Sequence, residues 1–155
     1  MMIKYICALP ILFSGFSFSA TNNNDMGLYR DNSYNILALA GGYECGVYSV
    51  PDDLNDSDKY NNVRIGGAKL EVTPYSGDNS AMVNVVLDTG VVLTSPKLEL
   101  ISKGAEKTVY GSDKSGDFFA YIVSNEIGVT VVIQNKNKGK EISIGVANCK
   151  YDKKQ

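Results

Sequence analysis

The sequence predicts an all-β protein: a single small antiparallel β-barrel, with a β-sandwich as the alternative, tied by one disulfide. Three observations carry this. Short runs of β-branched and aromatic residues alternate with their neighbours at period two, turn-forming residues separate the runs at short intervals, and no stretch sustains a 3.6-residue period of helical length. The crossover helices that a parallel sheet needs are therefore missing. About eight to ten strands from Tyr43 onward are enough to close a small barrel.

The first twenty residues read as a secretory signal peptide (1–20). Lys4 gives a positive start, Ile6 to Phe18 form an apolar run broken only by small or turn residues, and Ser17 to Ala20 offer cleavage after Ser19 or Ala20. The run is too short to span the roughly 30 Å hydrocarbon core. Cys7 lies inside it, too early to become a lipidated first residue. The expected location is therefore the periplasm or beyond, as a secreted protein with no membrane span.

Residues 21–42 read as a polar leader with a first apolar piece, Ile36 to Ala40, and the barrel domain as 43–155. Within it, Ala68, Leu70 and Val72 alternate with Lys69, Glu71 and Thr73. Val83, Val85 and Leu87 alternate with Met82, Asn84, Val86 and Asp88, and Leu98 and Leu100 bracket Glu99. Phe119, Tyr121 and Val123 oppose Phe118, Ala120 and Ile122; Val129, Val131 and Ile133 oppose Thr130, Val132 and Gln134. Asp88-Thr89-Gly90, Ser95-Pro96, Lys103-Gly104 and Asn135 to Lys140 supply the turns.

The last strand carries a phase conflict. Ile142, Ile144 and Val146 share one face, and Cys149 falls on the other if the strand runs straight. A bend or bulge near Asn148, or a bridge at the outer end of the barrel, would resolve it.

Removing residues 1–20 takes away Cys7 and leaves Cys45 and Cys149, which in an exported chain read as a structural disulfide. The chain has 155 residues, one domain's worth, and no histidine. Its 15 basic and 17 acidic residues give no electrostatic case for nucleic acid. Without histidine, Ser–His–Asp and Cys–His chemistry is impossible and a zinc site lacks its usual ligands. No phosphate-binding glycine motif appears, so no nucleotide cofactor is expected.

The acidic stretch Asp52 to Asp58 fails as a calcium loop. Begun at Asp53, it puts Asp58 where glycine is needed and Arg64 where a bidentate glutamate is needed, so it reads as a solvated loop. Gly111 to Asp117 likewise reads as a polar turn. No metal, no cofactor and no catalytic residues are assigned, and a binding protein is expected in place of an enzyme.

Tyr43-Glu44-Cys45-Gly46 and Asn148-Cys149-Lys150 resemble the cysteine pair of the periplasmic and membrane-bound inhibitors of c-type lysozyme. The resemblance implies a short barrel, a Ser-Gly loop that enters the lysozyme cleft, and a supporting Lys-Gly-x-Glu element. Ser76-Gly77 and Ser115-Gly116 are candidates for the first, with Phe119 where the loop's tyrosine would fall after Ser115. Lys103-Gly104-Ala105-Glu106 matches the second. The expected partner is a protein, either a cell-wall hydrolase that this chain inhibits or a periplasm-acting toxin against which it confers immunity. A lipocalin-like carrier of a small ligand, or a surface subunit joined by strand exchange, would suit the same architecture.

Overall fold

The computed structural model describes residues 23–75, 79–114, 116–136 and 141–153. The segment read as a signal peptide, together with Cys7, Ser76, Gly77 and Ser115, lies outside the described residues. A four-residue helix, Asn23–Met26, leads into a hairpin of β1 (Leu28–Arg30) and β2 (Ile36–Ala38). Then follow β3 (Gly41–Ser49), β4 (Arg64–Pro74), β5 (Ser80–Leu87), β6 (Val92–Thr94) and β7 (Leu98–Ser102). The chain ends in β8 (Lys107–Lys114), β9 (Asp117–Ser124), β10 (Gly128–Asn135) and β11 (Ile142–Tyr151). Among the described residues, no helix is long and apolar enough to cross a membrane.

Strands β3 to β11 form one antiparallel sheet in the order β4-β3-β11-β10-β9-β8-β7-β5-β6, and a further β4–β5 ladder joins its flanks. The sheet closes into a ring. Strands β6 and β7 lie end to end along β5, with Val86 opposite Val92 and Ala81 opposite Leu98. The break between them is Ser95-Pro96, because proline has no N–H for the ladder. Ser95 bridges the gap: its N–H donates to the Val83 carbonyl (2.9 Å) and its Oγ accepts from the Val83 N–H (2.9 Å).

Period-two alternation places one residue from each successive strand in the same interior layer. Tyr110, Tyr121, Val131, Val146 and Val47 form one such row across β8, β9, β10, β11 and β3. With Leu70, Val83, Leu98, Phe119 and Ile133 they belong to a continuous apolar cluster that fills the ring.

A bulge settles the phase conflict in β11. Ala147 pairs with Gly46 and Lys150 with Glu44, so Asn148 and Cys149 together face Cys45. Asn148 takes the left-handed conformation (φ 57°), which asparagine tolerates better than most residues. The extra residue turns Cys149 inward, where it bonds Cys45 across a Cα–Cα distance of 4.1 Å. Both cysteines are part of the interior cluster.

A second apolar cluster lies on the outer face of β8 to β11 and β3. Phe118, Ile122, Val132 and Tyr48 project outward there and are covered by Val50, Leu54 and Tyr60 of the β3–β4 connection. This explains why Phe118 to Val123 is apolar without a break: β9 is buried on both faces. The acidic stretch is therefore more than a solvated loop. Asp52, Asp53 and Asp58 are exposed, but Leu54 between them is 3% exposed and seals the sheet.

Residues 23–40 also do more than trail from the ring. Met26, Leu28 and Ile36 enter the interior cluster, so this segment caps one end of the ring. The Ile36 N–H donates to Gly104 O (2.9 Å), and Arg30 donates to Ala105 O (2.8 Å) and Asn125 Oδ1 (3.0 Å). Gly27 makes the close approach possible: at φ +70°, a Cβ there would lie 2.7 Å from the Tyr43 hydroxyl. The Tyr43 hydroxyl itself donates to Leu39 O (2.5 Å). Met26 and Leu28 are separated from the apolar piece at Ile36 by a polar stretch and sustain no period with it, so the cap reads as a leader in sequence.

Candidate binding site

The two ends of the ring differ in kind. At the end capped by β1 and β2, Lys103, Gly104 and Ala105 of the sequence-predicted Lys-Gly-x-Glu element hold the cap. Lys103 pairs with Asp31 (3.2 Å), Gly104 and Ala105 present their carbonyls to the cap, and Glu106 O accepts from Asn125 N–H (3.0 Å). The Glu106 side chain is exposed. The ends of β4 and β5 that flank residues 76–78 meet at this same end, where Leu100 N–H donates to Asn79 O (2.9 Å).

Asp31 organises the cap. Its carboxylate accepts from the backbone N–H of Asn35 (3.0 Å) and Ser33 (2.9 Å) and from the Asn35 side chain (3.2 Å). These bonds, those from Asn35 foremost, hold its pKa at about 2 against an ordinary 3.8. The folded value is the lower one, so the stabilisation is present above the unfolded pKa and fades as the pH falls toward 2. Amide-exchange protection of Leu28 to Ala38 is expected to fall over that acid window. In Asp31→Asn the protection is lower at neutral pH and no longer follows that titration.

The opposite end carries the other predicted loop and an open cavity. Gly116 sits at the β8–β9 turn with φ 79°, is exposed, and accepts from the Lys136 N–H (3.4 Å). Phe119 is 5% exposed and packs inside the ring, so it presents no side chain to a partner. Since β8 separates the Lys103 loop from Gly116, the structure places them at opposite ends of the ring.

At the Gly116 end, β10 finishes at Asn135 and β11 begins at Ile142, which are paired, as are Gln134 and Ser143. The β3–β4 connection crosses above them, tied by Val50 N–H to Ser143 O (3.3 Å). Gln134 is the pin. Its Nε2 donates to Pro51 O (3.1 Å), Asp52 O (3.1 Å) and Ser143 Oγ (3.0 Å). Two carbonyls on one side fix which way the amide points, because the reverse orientation would set oxygen against oxygen. Gln134 is 1% exposed, and among the described residues its Oε1 accepts no hydrogen bond.

Beside this pin opens a cavity of about 440 Å³. Asp52, Glu141 and Lys136 bring charge to its wall, Gln134 and Ser143 bring polar groups, and Ile142 an apolar surface. The volume falls in the range of small-ligand and side-chain pockets. Nearby, the Tyr60 hydroxyl donates to Leu54 O (2.6 Å), and burial, with Asp53 next in effect, pushes its pKa up to about 12. Among the described residues, no group of three or more Cys, Asp or Glu side chains is arranged to hold a metal ion.

No family model matches the chain, and it matches neither a curated protein nor a solved structure. The functional reading therefore rests on geometry. Gln134 carries no mark in the sequence, where it shares a strand face with Thr130 and Val132. The signal that could have found it is the apolar character of both faces of β9 and β10, which calls for a cover on the outside.

Proposed function

We propose that this chain is an exported, non-catalytic binding protein that inhibits a lysozyme-type or other cell-wall hydrolase through the rim carrying Gly116 and the Gln134 cavity. The observation that carries the reading is the contrast between a ring filled with apolar side chains and one rim where carboxylates, an amide and a lysine surround an open cavity. A filled ring gives no support to a carrier that holds its ligand inside the barrel. A rim set on paired strands loses little conformational freedom when a partner docks, so its contacts go into affinity.

Other features support the same reading. The Cys45–Cys149 bond suits an oxidising compartment, in accord with the signal-like N-terminus. The cysteine motifs resemble those of the lysozyme inhibitors, and the acidic balance favours approach to a basic hydrolase. The Lys103 element contributes by anchoring the cap, and the contact falls to the opposite rim.

The test is direct. The purified mature protein at micromolar concentration is expected to slow cell-wall lysis by at least one lysozyme of the c, g or i type. Unchanged lysis by all three removes the hydrolase assignment.

A further inference from the structure

We infer that the cap formed by residues 23–38 is a lid that opens as one unit while the disulfide-tied ring stays folded. The inference stands apart from the binding reading above, since the lid closes the end of the ring opposite the proposed rim.

The lid is built separately from the wall it closes. Among the described residues, β1 and β2 pair with each other in a two-stranded sheet of their own, and no ladder joins them to the nine strands of the ring. Their backbone bonds stay within the hairpin: the Asp31 N–H donates to Asn35 O (3.1 Å) and the Leu39 N–H to Gly27 O (2.8 Å). Ties to the ring come from the Ile36 N–H on Gly104 O and from side chains. Arg30 reaches Ala105 and Asn125, Lys103 pairs with Asp31, and Lys153 pairs with Asp25 (3.5 Å) where both are exposed to solvent.

Two tyrosine hydroxyls mark the pivot. Tyr43 donates to Leu39 O and Tyr151 to Ala40 O (3.2 Å), so these carbonyls stay with the ring and the lid ends before them. Met26 sits on Gly128, where a Cβ would come 2.9 Å from its Cε, and Gly27 sits on Tyr43 and Tyr151. Opening bares that seat.

Magnitudes favour a separate opening. Lifting the lid exposes Met26, Leu28 and Ile36 and the surface beneath them. Global unfolding also exposes the rest of the interior cluster and the whole outer cluster, and it breaks every ladder of the ring. A detached two-stranded hairpin is itself marginal, so the lid gains chain entropy on release. A segment with so small a share of the apolar contact opens well below the global free energy.

The experiment is native-state amide hydrogen exchange of the disulfide-intact mature protein at low urea concentrations. The lid amides Asp31, Ile36 and Leu39 are expected to share one protection factor, at least about 100-fold below that of Val131 and Val146 in the ring, with a weaker dependence on urea. Ile122→Val, in the outer cluster, is expected to lower protection at Val131 and Val146 about fivefold and to leave the lid amides unchanged. Leu28→Ala is expected to strip protection from the lid while the β-sheet circular dichroism signal persists.

Equal protection and equal urea dependence in lid and ring overturn the inference, as does a lid that follows the ring in Ile122→Val. Loss of the sheet signal in Leu28→Ala, or a lid left fully protected in it, overturns it as well.

Discussion

Cys45→Ala/Cys149→Ala is expected to lose about 4 kcal/mol of stability, read as a shift of the urea midpoint with an increased slope. The bond spans 104 residues, so it restricts nearly the whole described chain in the unfolded state. A loop of about 100 residues is worth up to ~4.7 kcal/mol in the chain-entropy account. The native state also suits the bond, since the Asn148 bulge has already brought Cys149 opposite Cys45. Thermal unfolding should come roughly 10–20 °C earlier. Refolding under reducing conditions should give the same deficit in the wild type, which separates loss of the bond from any effect of alanine.

Tyr121→Ala is expected to cost about 3–5 kcal/mol, as for other large aromatic truncations in a packed core. Tyr121 is 2% exposed, stacks on Tyr110 at 5.2 Å between ring centroids, and stands in the middle row of the ring. Removing the ring opens a void between β8, β9 and β10 that their paired backbones cannot close. Tyr121→Phe keeps the ring and most of its packing. Burial, and after it the neighbouring Tyr43, holds the Tyr121 phenol well above its ordinary value of 10.0, and burial raises Tyr43 as well. The sign follows: folded pKa values above the unfolded ones stabilise fully below pH 10 and are lost as the pH rises beyond it. Tyrosinate absorbance should therefore include a late component that rises together with loss of the β-sheet circular dichroism signal. In Tyr121→Phe that component shrinks.

Much of this fold is legible in the sequence because it is local. Leu70 against Lys69 and Val83 against Asn84 announce strands without reference to anything distant, and Pro96 announces the break between β6 and β7. The phase of Cys149 against Val146 calls for a bend or bulge near Asn148 or a bridge at the outer end of the barrel, and of these the bulge is what the chain adopts. The rest depends on contacts between segments far apart in the chain. Leu54 is one leucine among aspartates until Phe118 and Val132 turn out to need a cover. Met26, Leu28 and Ile36 become a cap only because the Lys103 loop and Asn125 lie where Arg30 can reach them. Gln134 holds the wall of the cavity because its amide N–H groups reach Pro51 and Asp52, more than eighty positions away. No spacing rule encodes that.

If this disulfide-tied ring with its packed interior acts by fitting one rim against a hydrolase, as proposed, inhibition must depend on that rim. The most direct measurement is a titration of an inhibited lysozyme with three proteins: the wild type, Asp52→Asn/Glu141→Gln and Lys103→Ala/Glu106→Ala. The prediction is stoichiometric inhibition by the wild type, an inhibition constant raised at least about fivefold in the first variant, and near-wild-type inhibition by the second while its cap stays in place. Full inhibition by the first variant together with loss in the second would contradict the assignment of the rim, and turnover of cell wall by the protein itself would contradict the claim as a whole.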